Sequence, residues 1–174
     1  FNIAEGQPFS PAQVLWIHFV VNAPFGIALG FDEETPGLMQ SAPRPRGESI
    51  LTRPMMLTAG LVGLFIALAS LTMIEIGIHH YDSVQIGISV GFTAFALMMV
   101  AAAYECRSET GTILAGDTFN SRRMNLIAGA EAVGAALATG WDFLNRLLGT
   151  VPLTTQQFGL AVLCAIALLV AWEI

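Results

Sequence analysis

The distribution of charge along this chain constrains its fold more than any other feature. No Asp, Glu, Lys or Arg occurs between Glu5 and Asp32, and none between Arg53 and Glu75. A helix that crosses a hydrocarbon layer needs about 20 mostly apolar residues, and both gaps are long enough. Pro54 suits the start of the second helix. Val84 to Tyr104 supplies a third apolar stretch, 124–141 a fourth that Glu131 interrupts, and 155–174 a fifth. The expected fold is all-α, a polytopic transmembrane helical bundle of five spans near 11–30, 55–77, 84–105, 124–141 and 155–174. A transmembrane β-barrel would need short segments of alternating hydrophobicity instead.

Composition serves mainly to exclude. Of 174 residues, 55% are hydrophobic and 11% are charged, against about 25% charged in a typical soluble domain. So little charge cannot coat a soluble globule. The hydrophobicity excludes disorder, and two cysteines exclude a disulfide-stapled scaffold. A net charge of −6 argues against a nucleic-acid partner, since phosphate contacts need a basic face. The chain starts at Phe1 and stops at Ile174 inside an apolar run. It is therefore expected to be a section of a longer protein, and no signal peptide is visible at its front.

The basic residues orient the bundle. All seven are arginine. Arg44, Arg46 and Arg53 lie between the first and second spans, and Arg107, Arg122 and Arg123 between the third and fourth. Arg146 alone falls in a connection of the other class. By the positive-inside rule the loops 31–54 and 106–123 are expected to be cytosolic. The absence of lysine hints at a GC-rich bacterial genome, and so at a bacterial plasma membrane. Cys106 then sits at the inner edge and Cys164 near mid-bilayer, with no disulfide expected. Small residues four apart, Ala59 with Gly63, Gly63 with Ala67 and Ala130 with Gly134, are expected at close helix contacts.

Several polar side chains fall inside the spans. His18 and Asn22 are four apart and share a helix face. Pro24 follows, and a proline removes an amide and clashes one turn back, so the first span is expected to be broken at mid-membrane, near Asn22–Pro24. Broken helices expose carbonyls that suit cations. On the residues alone, simple bonding of His18 and Asn22 to neighbouring helices stays open. Glu131 is flanked by apolar residues, and a carboxylate in hydrocarbon costs about 2.5 kcal/mol or more, which makes it a functional candidate; a buried structural role stays open as well. Glu75 and His79 read as an interfacial pair, and Met98–Met99 as packing or soft ligands.

Two stretches carry a family resemblance. One is Pro11-Ala-Gln13-Val-Leu-Trp16-Ile-His18-Phe-Val-Val21-Asn22, continued by Ile27-Ala-Leu-Gly30-Phe-Asp32; the other is Leu38-Met39 with Pro43-Arg44. Together they resemble the sixth membrane helix and following loop of P-type cation-transporting ATPases of the calcium-pump-like branch, whose pattern reads "QLLWxNLxTDxxPxxALG" and then "LMxxPPR". Cys106-Arg107-Ser108-Glu109 resembles the end of that family's eighth helix, and Gly149-Thr150-Val-Pro152-Leu153 the turn before its tenth. The resemblance implies that residues 1–174 are the C-terminal part of the membrane domain, helices six to ten. ATP and magnesium would be handled by upstream domains; the chain has no Asp-Lys-Thr-Gly run and no phosphate-binding glycine loop, so it needs no cofactor of its own. The implied partners are the upstream helices and cytosolic domains of the same chain, the lipid bilayer and a transported cation.

The implied site departs from the family pattern. His18, Val21 and Asn22 stand where the pattern has Asn, Thr and Asp, Phe25 stands at its proline, and Met99 and Ala102 fall at ligand-bearing positions of the eighth helix. Calcium takes six to eight hard oxygens, and these changes remove several. The ion-pathway candidates are His18, Asn22, Met99 and Glu131. The expected function is the membrane part of an ATP-driven cation pump; the alternatives are a non-transporting degenerate or regulatory homologue and an unrelated secondary transporter. The topology yields a direct prediction. With Thr35→Cys or Glu48→Cys, impermeant thiol reagents should fail to label intact cells, and ready labelling from outside would overturn the orientation.

Overall fold

The computed structural model describes residues 3–31, 51–106 and 121–172. A short 3-10 turn, Ile3–Gly6, precedes six helices: α1 Pro11–Gly30, α2 Arg53–Tyr81, α3 Val84–Glu105, α4 Arg122–Gly140, α5 Asp142–Leu148 and α6 Thr155–Trp172. No strand occurs among the described residues. The fold is an all-α membrane helical bundle. Most of the loops 31–54 and 106–123, with Arg44, Arg46 and Arg107, lies outside the described residues.

Local sequence starts and stops these helices. Ser10 and Gln13 form a reciprocal capping box at α1, with Ser10 N–H donating to Gln13 Oε1 at 2.9 Å and Gln13 N–H to Ser10 Oγ at 3.2 Å. Thr52, Ser83 and Ser121 accept from the third residue onward at α2, α3 and α4. Thr154 and Gln157 repeat the box at α6. Asp82 takes the left-handed conformation at φ 51° and reverses the chain between α2 and α3 within two residues.

Helix α3 is the axis of the bundle. Two-thirds of it is buried, against about a quarter of α1, α2 or α6. One face packs Ala96 and Ala103 against Val21, Phe25 and Ala28 of α1 and Met124, Ala128 and Ala135 of α4. Another packs Ala94, Met98, Ala101 and Ala102 against Ile66 of α2 and Ala161 and Leu168 of α6. At the end that carries the α2–α3 turn, Phe92 joins Ile17, Ala138, Leu144 and Leu148.

The expected spans and the helices differ in three respects. Among the described residues four helices, α1, α2, α3 and α6, are long and apolar enough to cross a membrane. The expected fourth span forms α4, 19 residues long, but it falls short of them in apolarity because Arg122, Arg123, Asn125 and Glu131 dilute its many alanines. At 1.5 Å per residue it is still about 28 Å long, close to the thickness of the hydrocarbon. Second, α2 runs from Arg53 to Tyr81, longer at both ends than 55–77. Third, the break expected in the first span is a change of winding. Helical structure continues from Pro11 to Gly30, but Ile17–Asn22 is π-helical, and Ala23 N–H bonds to the His18 carbonyl five residues back. Pro24 has no N–H to give, and its ring would press on the Val20 carbonyl in an ordinary α-helix. The wider turn relieves that clash without opening the backbone.

The close helix contact also differs from expectation. Ala59, Gly63, Ala67 and Ala130 are exposed in this bundle, and Gly134 makes only an ordinary contact with Val20. The tight crossing joins α2 and α3 at Gly77, Gly87 and Gly91. A Cβ at Gly87 would lie 2.6 Å from the Ile74 carbonyl oxygen, and one at Gly77 would overlap the Gly87 backbone. Spacing alone does not tell which of several small-residue faces meets a neighbour; the two-residue turn does, because it forces α2 and α3 together. Gly87→Ala should therefore lower stability by about 1–3 kcal/mol through overpacking, seen as a lower melting temperature of the detergent-solubilised protein. Gly129→Ala, where no atom lies within 4 Å, should leave it unchanged or slightly higher.

Candidate functional site

The sequence candidates meet unevenly. His18 and Asn22 both lie in the π-wound segment of α1, beside its buried face of Ile17 and Val21. Asn22 Nδ2 is 3.5 Å from His18 Nδ1, a long contact that orients both side chains on one side of the helix. His18 is exposed and Asn22 half-buried. The Asn22 Oδ1 atom is buried and has no hydrogen-bond partner among the described residues. It is an acceptor without a donor, and a buried group of that kind costs about 1–3 kcal/mol when left unmatched.

Glu131 stands in the middle of the buried stripe of α4. Met124, Ala128, Glu131, Ala135 and Ala138 follow one another at helical spacing, and all are buried, Glu131 with 5% of its surface exposed. That stripe packs on α1 and α3. Glu131 Oε2 is also an acceptor with no partner among the described residues. No hydrogen bond links it to His18 or Asn22, the partners that its sequence position invites. Two acceptors on packed neighbouring helices, Asn22 Oδ1 and Glu131 Oε2, thus have no partner among the described residues, and a proton or cation would satisfy either.

Met99 and Ala102 do different work. Met99 is half-buried between the two apolar clusters around α3, and Ala102 is buried in one of them. Neither presents a hard oxygen. Among the described residues, no three His, Cys, Asp or Glu side chains come together to hold a metal ion. Glu75 Oε2 and His79 Nε2 approach to 3.1 Å at the exposed end of α2, as an interfacial pair would.

Residues given no functional role in the sequence reading tie the bundle at its two ends. Near the α2–α3 turn, Val151 N–H donates to Ser89 Oγ at 2.9 Å, Ser89 Oγ donates to the Gln85 carbonyl at 2.7 Å, and Thr93 Oγ1 donates to the Ser89 carbonyl at 2.8 Å. The Thr150 hydroxyl bonds to the Ala138 carbonyl and lies 3.1 Å from the Asn145 side-chain amide. At the opposite end Tyr104 donates its hydroxyl to Asn125 Oδ1 at 2.8 Å, and the Arg123 guanidinium lies 5.7 Å from the centre of the Phe31 ring. The bundle is tied at both ends and left unsatisfied in the middle. Ser, Thr and Asn scattered along apolar helices carry no spacing signal, so these clamps emerge only from the fold.

Comparison with known proteins relates nearly the whole chain to one family. The family model described as "Cation transporting ATPase, C-terminus" matches residues 6–174. Calcium-transporting ATPase 1 of Schizosaccharomyces pombe is 23% identical over 168 residues, covering 97% of this chain and 19% of that protein. Cation-transporting ATPase pma1 of Synechocystis is 26% identical over 168 residues, covering 92% of this chain and 18% of its own length. Calcium-transporting ATPase 1 of Lactococcus lactis is 29% identical over 108 residues, 62% of this chain and 12% of that protein. The chain thus spans less than a fifth of the length of these relatives. The orphaned carboxylate allows a stability test. Glu131→Leu, of similar volume, should raise the melting temperature of the solubilised protein, equivalent to about 1–3 kcal/mol. A lower melting temperature would mean that Glu131 has a structural partner.

Proposed function

Because the chain belongs to the cation-transporting ATPase C-terminal family, we propose that it forms the membrane-embedded C-terminal part of an ATP-driven cation pump. In that role it contributes side chains to the ion pathway and carries conformational change from the ATP-hydrolysing domains to them. ATP and magnesium act in the upstream domains; the partners of this part are those domains, the upstream helices, the bilayer and the cation. The loops 31–54 and 106–123 face the cytosol, on the side favoured by their arginines. An all-arginine basic set suits a bacterial plasma membrane.

The observation that carries this proposal is the pair of buried, unpartnered acceptors, Asn22 Oδ1 and Glu131 Oε2, within a membrane bundle. A bundle built only for stability has no reason to retain a desolvated carboxylate; a bundle that passes a cation does. The π-wound segment supports it further, since π-turns inside α-helices concentrate at functional sites. His18 and Asn22 supply a nitrogen and an oxygen there, Glu131 supplies charge, and Met99 is the candidate on α3. The apolar surroundings of Met99 and Ala102 favour a second reading, a regulatory homologue that no longer transports.

The test is cation-stimulated ATP hydrolysis by the full-length protein. Glu131→Gln keeps the shape and removes the charge. It should shift the cation concentration for half-maximal hydrolysis by about tenfold, or move its pH dependence, with expression nearly intact. Stimulation identical to the parent would remove Glu131 from the pathway. No stimulation by any cation in the parent itself would favour the regulatory homologue.

A further inference from the structure

The short helix α5, Asp142–Leu148, divides into three faces. Leu144 and Leu148 are buried against Ile17, Phe92 and Ala138. Phe143 and Leu147, four apart, are 62% and 55% exposed, and Trp141 just before them is 54% exposed. Asp142 and Arg146, also four apart, are exposed beside that apolar face. Among the described residues Arg146 makes no ion pair, with Asp142 or with any other carboxylate.

The apolar face continues a longer strip. Leu126, Val133 and Leu137 of α4 are exposed along one side, and that side runs into Trp141, whose ring lies 5.7 Å from that of Phe143. In a membrane bundle such a strip meets acyl chains. It ends where the chain turns sideways into α5, and there it meets an aromatic pair and a cation. Tryptophan concentrates at the boundary between acyl chains and headgroups, and amphipathic helices with arginine beside an apolar face lie in that plane. By the expected topology Arg146 is also the one arginine in a connection of the other class. A fixed anion at that depth gives the exception a physical cause.

We propose that α5 is an interfacial helix that binds phospholipid phosphate through Arg146, with Trp141, Phe143 and Leu147 set among the acyl chains beneath it. The occupant is the headgroup layer of the leaflet on the α2–α3 turn side. An arginine close to an anionic surface favours anionic lipid by about fivefold. Such an anchor would hold the end of α4, and with it the depth of Glu131, because Thr150 and Leu148 lock α5 and its following turn onto Ala138.

The test places the full-length protein in nanodiscs and reads Trp141 as the emission lost in Trp141→Phe. Lipids brominated near the headgroup end of their chains should quench this emission more than lipids brominated near the chain ends. Brominated phosphatidylglycerol should quench at about fivefold lower mole fraction than brominated phosphatidylcholine. Arg146→Gln should abolish that preference and Arg146→Lys should keep it. No quenching by either lipid would mean that another helix of the protein covers this face, and would overturn the proposal. So would equal quenching by both lipids, or a preference that survives Arg146→Gln. ATP hydrolysis is not a readout, so the outcome does not depend on the pump assignment.

Discussion

Water cannot enter hydrocarbon to complete a broken hydrogen bond, so the backbone from Pro11 to Gly30 stays helical even where Pro24 withholds a donor. That constraint shapes the rest of the bundle. Every long helix begins on a Ser or Thr cap, whose oxygen accepts one of the first free amides. The loop from Gly149 to Thr154 leaves its helix through a left-handed glycine, φ 68°, and returns its amide at Val151 to Ser89. Since lipid gives helices little hydrophobic reason to associate, α2 and α3 hold together through backbone approach at Gly77 and Gly87. Against this background the oxygens of Asn22 and Glu131, like the Ser70 hydroxyl, are buried without a partner among the described residues, and Glu131 is the one of these three that can carry a charge.

The proposed cation path rests on a few features of the middle of the bundle. The π-wound turn widens α1 without unwinding it, and it holds His18 and Asn22 on one side. Glu131 is presented from α4 by a stripe of alanines that allows close approach. The bonds at either end of α4, Thr150 to Ala138 and Tyr104 to Asn125, tie it to the turn after α5 and to α3. A donor set of one carboxylate, one amide and one imidazole is too poor in oxygen to complete a calcium shell. In the proposed pump, upstream helices would supply further ligands.

Much of this architecture was legible in the sequence because hydrocarbon forbids charge over long stretches. The gaps from Glu5 to Asp32 and from Arg53 to Glu75 locate two spans directly, and Pro11, Gln13, Trp16 and Gly30 carry the family pattern. Glu131 was conspicuous for the same reason, as a charge where none should be. What could not be read depended on three-dimensional choice. Proline announces a disturbance at residue 24, but whether the helix opens or widens is decided by its neighbours. Three small-residue pairs looked suited to close packing, and the turn at Asp82–Ser83 selected a different one. Helix α5 is too short for its periodicity to show, and the Ser89–Thr150 clamp joins residues far apart in sequence through single hydroxyls.

The central claim, that the buried acceptors of α1 and α4 serve a travelling cation, is tested most directly by ATP-driven cation uptake into proteoliposomes containing the full-length protein. Uptake of a cation such as calcium should be measured for the parent and for Asn22→Leu, which removes Oδ1 and keeps the size. The account predicts ATP-dependent accumulation by the parent and its loss in Asn22→Leu, with the variant still folded by melting temperature. Equal accumulation by both proteins would contradict it.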